Sequence, residues 1–245
     1  MSRSLSLMLL VLCLFALPAA AITYGQFDGN DHPNVGALVG TFDSGTFPYC
    51  SGTLISPTVF LTAAHCAEGD RVRVTFDTAY QDGDTVYRGT FHGDPAYNQT
   101  QSDPHDIAVV VLDKTVKGIT PARLPAAGSL SKLPSTQQFT SVGYGAYEVT
   151  NEAGGHQYLY DDVRMVATGT LNSINASWLR ISMNPSTDNG GTCYGDSGGP
   201  NFLGTTNIIA ATTITGDAVC RSTNVDYRLD TKSARDFLRP YVALP

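Results

Sequence analysis

Short runs of apolar and β-branched residues alternate with turn-forming residues along most of this chain. Seven such runs are predicted to be strands: 35–39, 52–55, 72–76, 86–91, 107–112, 179–183 and 208–214. Their lengths and spacing are typical of an antiparallel barrel or sandwich. The run 107–112 is continuously apolar, which predicts a strand buried on both faces.

The C-terminal tail has the period of a helix instead. Apolar residues follow the i, i+3, i+4, i+7, i+8 spacing of one helix face: Ala234, Phe237, Leu238, Tyr241 and Val242. We predict a helix over about residues 231–242, with Thr231 as its N-cap. Pro240 lies inside this stretch, so the last turn is expected to be irregular.

The first residues have the features of a secretion signal. Arg3 gives a short positive start, and residues 5–17 form an apolar run too short for a transmembrane helix. Pro18 breaks the run, and the three alanines at 19–21 form a small-residue cleavage site. We therefore expect cleavage after Ala21, Ile22 as the first mature residue, and a secreted, extracellular protein.

Composition adds few constraints. The 245 residues include 24 Gly and 13 Pro, and only 15% are charged, which suits many short strands in one large β domain or two barrels. The net charge of −7 disfavours nonspecific binding to nucleic acid. No stretch after the signal is long and apolar enough to span a bilayer, so we expect a soluble mature protein.

Four cysteines remain once residues 1–21 are removed: Cys50, Cys66, Cys193 and Cys220. An even number of cysteines in an exported protein predicts two disulfides. Spacing alone leaves all three possible pairings open.

Residues 195–200, which read GDSGGP, carry the strongest chemical signal. A serine hydroxyl is a poor nucleophile until a neighbouring base takes its proton. The glycines allow a tight turn, and the N–H groups of Gly195 and Ser197 are candidates to hold the oxyanion of an acyl transfer. Taken alone, the motif also fits an ordinary glycine-rich turn.

Two further segments supply a candidate base and a candidate carboxylate. Residues 61–66 read LTAAHC, and His65 can accept and return a proton near neutral pH. Residues 106–110 read DIAVV, and Asp106 at the mouth of a buried strand can receive the imidazole N–H. Asp106 also fits a strand cap, and Asp103 is a nearby competitor.

Together, the segments AAHC, DIA and GDSGGP resemble the trypsin-like serine peptidase family in order and spacing, over nearly the whole mature chain. The resemblance implies an all-β, chymotrypsin-like fold of two antiparallel six-stranded β-barrels and a C-terminal helix. The first barrel would span about residues 22–125 and the second about 126–230. His65, Asp106 and Ser197 would form the catalytic triad of a serine endopeptidase, in the cleft between the barrels.

The same resemblance implies the disulfides Cys50–Cys66 and Cys193–Cys220, and Gly195 and Ser197 as the oxyanion hole. It also implies an activation step, in which a cleaved apolar N-terminus inserts its ammonium beside the aspartate that precedes the serine. That pair would be Ile22 and Asp196, and we hypothesise that removal of the signal peptide itself frees Ile22.

The substrate pocket is also carried over from the family. Gly191 would form the base of the primary pocket and Thr192 its wall, and Gly191 does not support a strict Arg or Lys preference. Residues 214–216, ending in Gly216, would pair with the substrate as an added strand, although they lack the family's Ser-Trp-Gly. Asp226 or Val225 would form the back wall, and we expect small or apolar substrate side chains.

Other functions are compatible with part of these motifs. The motif also fits the nucleophile turn of α/β-hydrolases, but every histidine precedes Ser197, which excludes that chain order. The alternatives left open are a catalytically inactive peptidase-like binding protein and an esterase with the same triad.

We expect no cofactor and no metal. The loop with Asp77, Asp82 and Asp84 matches no firm calcium motif, and a solvated acidic loop is the simpler interpretation. The expected partners are protein or peptide substrates and protein protease inhibitors. We expect a monomer that binds neither nucleic acid nor, once the signal is removed, a membrane.

Overall fold

A computed structural model of the protein describes residues 22–245, so the predicted signal peptide lies outside the described residues. Within that range the chain is mostly β, with one short α-helix near its end. The same range holds no helix that is long and apolar enough to cross a membrane.

The first barrel is a closed antiparallel sheet that follows a two-residue strand, β1 (Gln26–Phe27). Its strands are β2 (Val35–Phe42), β3 (Gly45–Ser56), β4 (Val59–Thr62), β5 (Arg71–Thr75), β6 (Tyr87–Gly93) and β7 (Ala108–Leu112). Around the barrel they run in the order β2-β3-β4-β7-β6-β5, and β2 pairs with β5 to close the ring. The 3₁₀ turn Ala64–Cys66 follows β4 directly and carries His65.

The second barrel repeats this architecture. Its strands are β8 (Gln138–Gly143), β11 (Met165–Ile174), β12 (Trp178–Ser182), β13 (Pro200–Leu203), β14 (Ile209–Gly216) and β15 (Thr223–Arg228). The order β11-β12-β15-β14-β13-β8 closes through pairing of β11 with β8, and β1 adds to β11 from outside. A separate hairpin consists of β9 (Glu148–Glu152) and β10 (Gly155–Leu159). A second 3₁₀ turn, Pro185–Thr187, follows β12.

All seven strands predicted from the sequence are present. The apolar run at 107–112 forms β7, which pairs with β4 on one edge and β6 on the other, and four of its five residues are buried. The expectation of two six-stranded antiparallel barrels is confirmed.

The C-terminal helix is shorter than predicted. It spans α1 (Lys232–Leu238), and Thr231 Oγ1 accepts a hydrogen bond from the Ala234 N–H at 3.3 Å, as expected of an N-cap. The helix stops before Pro240, because proline has no N–H to donate and disfavours helical backbone in the preceding residue. The predicted extension to residue 242 is therefore wrong: Tyr241 and Val242 only turn back onto the Leu238 carbonyl.

A fully buried arginine joins the two barrels. Arg164, just before β11, pairs with Asp28 at 2.8 Å and donates to the carbonyls of Val35 and Phe76 at 3.0 and 3.2 Å. Burial alone would raise the pKa of Asp28, but hydrogen bonds from His32 and Arg164 hold it below its ordinary value. The ion pair is thus fully hydrogen-bonded, which a buried pair needs to offset its desolvation.

Both disulfides implied by the family resemblance are present. Cys50–Cys66 ties β3 to the turn that carries His65, and Cys193–Cys220 ties the segment before the serine to the loop between β14 and β15. In the chain-entropy model, loops of this size contribute about 3 kcal/mol each.

A polar cluster lies inside the second barrel. Asn201 on β13 donates to Asp226 Oδ1 at 2.8 Å and to Thr213 Oγ1 at 3.0 Å, and it accepts from Asn224 at 3.1 Å. Among the described residues, Asp226 Oδ2 and Asn224 Oδ1 have no hydrogen-bond partner. Burial raises the pKa of Asp226 well above its ordinary value, which the hydrogen bonds from Thr213, Asn201 and Asn224 only partly oppose.

We predict that Asp226→Asn stabilises the protein at alkaline pH and has little effect in acid. Because the folded pKa of Asp226 is raised, its favourable contribution is complete below the unfolded pKa and is lost as the pH rises through the folded pKa. An amide stays neutral throughout and can donate to a free acceptor such as Asn224 Oδ1. Urea unfolding at about pH 4 and about pH 8 measures the difference in free energy of unfolding.

Asp230→Asn is the matched control for this experiment. The Asp230 carboxylate pairs with buried Arg228 at 2.9 Å, so the same substitution there removes a charge partner and should destabilise the protein at both pH values. An Asp226→Asn variant that lost equal stability at both pH values would show that the carboxyl is held ionised.

Candidate active site

His65 and Asp106 form a direct, oriented pair. The Asp106 carboxylate accepts from His65 Nδ1 at 2.8 Å and from the His65 backbone N–H at 3.0 Å. Because an ionised carboxylate can only accept, this contact places the hydrogen on Nδ1 and leaves Nε2 as an acceptor. Asp106 is 1% exposed and lies just before β7, whereas His65 is partly open to the cleft. Asp103, the alternative to Asp106, instead accepts hydrogen bonds from the hydroxyls of Tyr227 and Ser233 and does not bond to His65 Nδ1.

Ser197 lies between the two barrels. Its carbonyl accepts from the Ser51 N–H of β3 at 2.8 Å, and the next residue, Gly198, donates to the Thr213 carbonyl of β14 at 2.8 Å. Ser197 and His65 line one cavity of about 880 Å³. Within residues 22–245 the Ser197 hydroxyl has no hydrogen-bond partner, so the triad stays a prediction supported by a shared cavity and not by a formed Ser–His bond.

Glycines shape the backbone on both sides of Ser197. Gly195 and Gly198 have positive φ values of 96° and 83°, which favour glycine. A Cβ on Gly198 would also lie 2.1 Å from Thr62 Oγ1. In the described part of the chain, the N–H groups of Gly195 and Ser197 have no acceptor, which is the state that an empty oxyanion site requires.

Asp196 is buried beneath this turn. Its two carboxylate oxygens accept from the backbone N–H groups of Gly145 and Cys193, each at 2.8 Å. Gly143 and Gly145 leave room for the carboxylate: a Cβ at either position would lie 2.1 or 2.5 Å from its oxygens. Burial raises the pKa of Asp196 to about 7 despite the two backbone hydrogen bonds. Over residues 22–245, no cationic side chain forms an ion pair with it.

The segment that begins at Ile22 is docked on the second barrel. The Ile22 side chain is fully buried in an apolar cluster with Val163, Met165 and Ala167. Thr23 forms a β-bridge with Gly191, and its hydroxyl donates to the carbonyls of Gly191 and Cys220 at 3.1 and 2.7 Å. The segment therefore makes specific contacts with the second barrel.

Some of the predicted pocket residues reach the cavity and others do not. Thr192 and Gly216 line it, together with both disulfides and the segment 213–217. Gly191 does not line it, and a Cβ there would meet the buried side chain of Met183 at 2.4 Å. Asp226 is also absent from the cavity wall, because its carboxyl belongs to the polar cluster inside the barrel.

Several residues that line or support the cleft lie outside the segments predicted to be functional. The β2–β3 hairpin contributes an aromatic group to the cleft wall, formed by Phe42, Phe47 and Tyr49. The rings of Phe42 and Phe47 are stacked, with their centroids 5.0 Å apart. Tyr194 borders the cavity from the second barrel and is half exposed. These positions lie outside the catalytic motifs, so only their place in the fold identifies them.

Only one group of possible metal ligands is found among the described residues: Cys50, His65 and Cys66. Both sulfurs are consumed in a disulfide, so they are not thiolates and cannot serve as metal ligands.

Comparison with known proteins agrees with this geometry. A family model described as Trypsin matches residues 28–237. A trypsin from Phaedon cochleariae is 33% identical over 63% of this chain, and a glucanase inhibitor protein from Phytophthora sojae is 28% identical over 62%. The matched segments span only 64% and 60% of those two relatives.

A solved structure titled HL collagenase has the same fold. It covers 90% of this chain and 95% of its own, with a TM-score of 0.67 and 20% sequence identity. The fold, the position of the three motif residues and the family match over most of the chain lead to one conclusion: the chain belongs to the trypsin-like serine peptidase family.

Proposed function

We propose that this protein is a secreted serine endopeptidase that hydrolyses peptide bonds through an acyl-enzyme intermediate. The observation that carries the proposal is the arrangement around the cavity: an oriented His65–Asp106 pair, an unengaged Ser197 hydroxyl and two unpaired N–H groups. Membership of a peptidase family supports it independently.

In the proposed mechanism, His65 Nε2 accepts the proton of the Ser197 hydroxyl as its oxygen attacks the substrate carbonyl. Asp106 keeps the hydrogen on Nδ1 and stabilises the imidazolium that forms. The N–H groups of Gly195 and Ser197 hold the negative oxygen. His65 then gives the proton to the leaving amine, and water hydrolyses the ester in a second round of the same steps.

We also propose that signal-peptide removal activates the enzyme. Ile22 already occupies an apolar site, and Asp196 is a buried carboxylate held only by backbone N–H groups. A free Ile22 ammonium would supply the missing countercharge. Removing one partner of a buried pair of this kind costs about 3–5 kcal/mol.

The proposed substrates are proteins or peptides bound as an added strand along residues 214–216, and protein protease inhibitors would dock in the same way. For the residue before the scissile bond we propose small or apolar side chains. Thr192 and Gly216, the predicted pocket residues that line the cavity, carry no charge, and neither Gly191 nor the Asp226 carboxyl lines it.

The second candidate is a peptidase-like binding protein without catalysis. It is favoured by one relative whose name describes a glucanase inhibitor. An esterase with the same triad is the third.

We predict that a phosphonyl fluoride labels Ser197, and that Ser197→Ala abolishes labelling and lowers kcat on casein about a million-fold. Ser129→Ala changes an exposed serine in the segment that connects the two barrels; it is the control and should leave both unchanged. An intact protein that resists labelling would favour the binding protein. Labelling with turnover of esters but not of casein would favour the esterase.

We predict that the secreted active protein starts at Ile22, and that a chain with one extra Ala before Ile22 loses most of its activity. In that extended chain the pKa of Asp196 stays at about 7, so stability contributed by its protonated form is lost as the pH rises from about 4 to about 7. A free ammonium holds the carboxylate ionised and removes this loss. N-terminal sequencing and urea unfolding against pH test both points, and a different first residue in the active enzyme would refute the activation step.

We predict that a peptide library shows cleavage after small or apolar residues. An aspartate in the pocket wall would attract cations, and Thr192 and Gly216, the predicted pocket residues that line the cavity, carry no such charge. Thr192→Asp places a carboxylate at a residue that does line the cavity, and it should move selectivity towards Lys and Arg. A clear preference of the unaltered enzyme for Arg or Lys would overturn the prediction.

A further inference from the structure

Ser51 of β3 touches the turn around Ser197 through both its backbone and its side chain. Its N–H donates to the Ser197 carbonyl at 2.8 Å. Its hydroxyl donates to the Gly195 carbonyl at 3.0 Å and accepts from the Tyr144 N–H at 3.0 Å. Ser51 is fully buried, so water does not compete for these contacts.

The hydroxyl links groups that lack any other partner. Over residues 22–245, it supplies the only hydrogen bond to the Gly195 carbonyl and the only acceptor for the Tyr144 N–H. A hydroxyl can donate once and accept at the same time, so it satisfies a carbonyl and an N–H that face the same point. Alanine can do neither.

The Gly195 carbonyl is a sensitive place for such a contact. Gly195 has a φ of 96°, and glycine has the greatest freedom to leave that conformation. The Gly195 N–H, one of the two candidate oxyanion donors, belongs to the preceding peptide, whose Tyr194 carbonyl accepts from the Ala146 N–H at 2.8 Å.

Ser51 holds the peptide that follows Gly195, and this peptide leads through Asp196 to the Ser197 N–H, the other candidate donor. Loss of the Ser51 contact would let this second peptide rotate about the Gly195 torsions and move the two donors relative to each other. The Asp196 side chain is held by hydrogen bonds from the Gly145 and Cys193 N–H groups, and it forms no hydrogen bond with the Gly195 carbonyl.

We propose that Ser51 is a positioning residue: from the first barrel, its hydroxyl fixes the peptide between Gly195 and Asp196 and so sets the position of the Ser197 N–H relative to the Gly195 N–H. The proposal rests on the proposed peptidase function. The first barrel, which carries His65, would then also shape the oxyanion site that stabilises the transition state.

The kinetic test is Ser51→Ala. We expect kcat to fall about tenfold to a hundredfold, less than for direct loss of an oxyanion donor, with KM changed by less than about twofold. Affinity for a peptide boronate, which mimics the tetrahedral intermediate, should fall by the same factor as kcat/KM. Affinity for a non-covalent product peptide should not change.

Ser141→Ala is the matched control. Ser141 is buried in the second barrel and its hydroxyl donates to Asn201 Oδ1 at 2.5 Å; over residues 22–245 it forms no hydrogen bond to residues 194–199. It should lower the melting temperature while kcat and boronate affinity stay as in the unaltered enzyme. Ser51→Gly, which leaves room for a bridging water, provides a second variant if Ser51→Ala does not fold, and its kcat should fall in the same direction.

Amide hydrogen exchange tests the same idea without turnover. The N–H groups of Asp196 and Gly199 are bonded inside the turn, to the carbonyls of Cys193 and Asp196. We expect both to exchange faster in Ser51→Ala and to be unaffected in Ser141→Ala. Unchanged exchange together with unchanged boronate affinity would overturn the role of Ser51. If the unaltered protein is neither labelled nor active, the proposed function fails, and the exchange result still decides whether Ser51 positions the turn.

Discussion

The hydrogen bond from the Ser51 N–H to the Ser197 carbonyl is the contact on which the candidate site depends. His65 and Asp106 belong to the first barrel, and Ser197 belongs to the second. Neither barrel contains a complete set of reacting groups. Because the backbone of Ser197 is bonded to β3 on one side and its neighbour Gly198 to β14 on the other, its position relative to His65 is set by how the barrels pack.

The second barrel contains two fully buried carboxyls that have no cationic partner in the described part of the chain, and their surroundings differ. Asp226 is enclosed by amide and hydroxyl groups of neighbouring strands, which can accept a neutral acid. Asp196 accepts two backbone hydrogen bonds and lies in space that Gly143 and Gly145 leave free. The surroundings of Asp226 therefore suit a protonated carboxyl, whereas those of Asp196 leave room for a positively charged partner.

Much of the fold was predictable because it follows from local pattern. The run that became β7 is apolar at every position, and the cysteine pairing followed from the family resemblance. The β9–β10 hairpin was not predicted, because its sequence is polar and largely exposed and its two strands pair only with each other. The end of α1 was placed too late because the apolar spacing continues past the point where Pro240 stops the helix.

The candidate site was predictable only where a residue lies in a motif. His65, Asp106 and Ser197 were found because each stands in a recognisable segment, and two of them are in direct contact. Asp226 shows the limit: its distance from Ser197 along the chain gives no information on which side of β15 its carboxyl faces. Ser51 shows the same limit, since a serine beside a cysteine has no special meaning until a distant carbonyl is known to meet it.

The buried pair of Arg164 and Asp28 has a consequence for how the chain folds. The two residues are 136 positions apart, so the arginine leaves the ribosome long after the aspartate. Until then the Asp28 carboxylate remains hydrated, and the carbonyls of Val35 and Phe76 lack their buried donor. An isolated first half of the chain therefore cannot satisfy these polar groups. We expect the two barrels to gain their final stability in a single cooperative step.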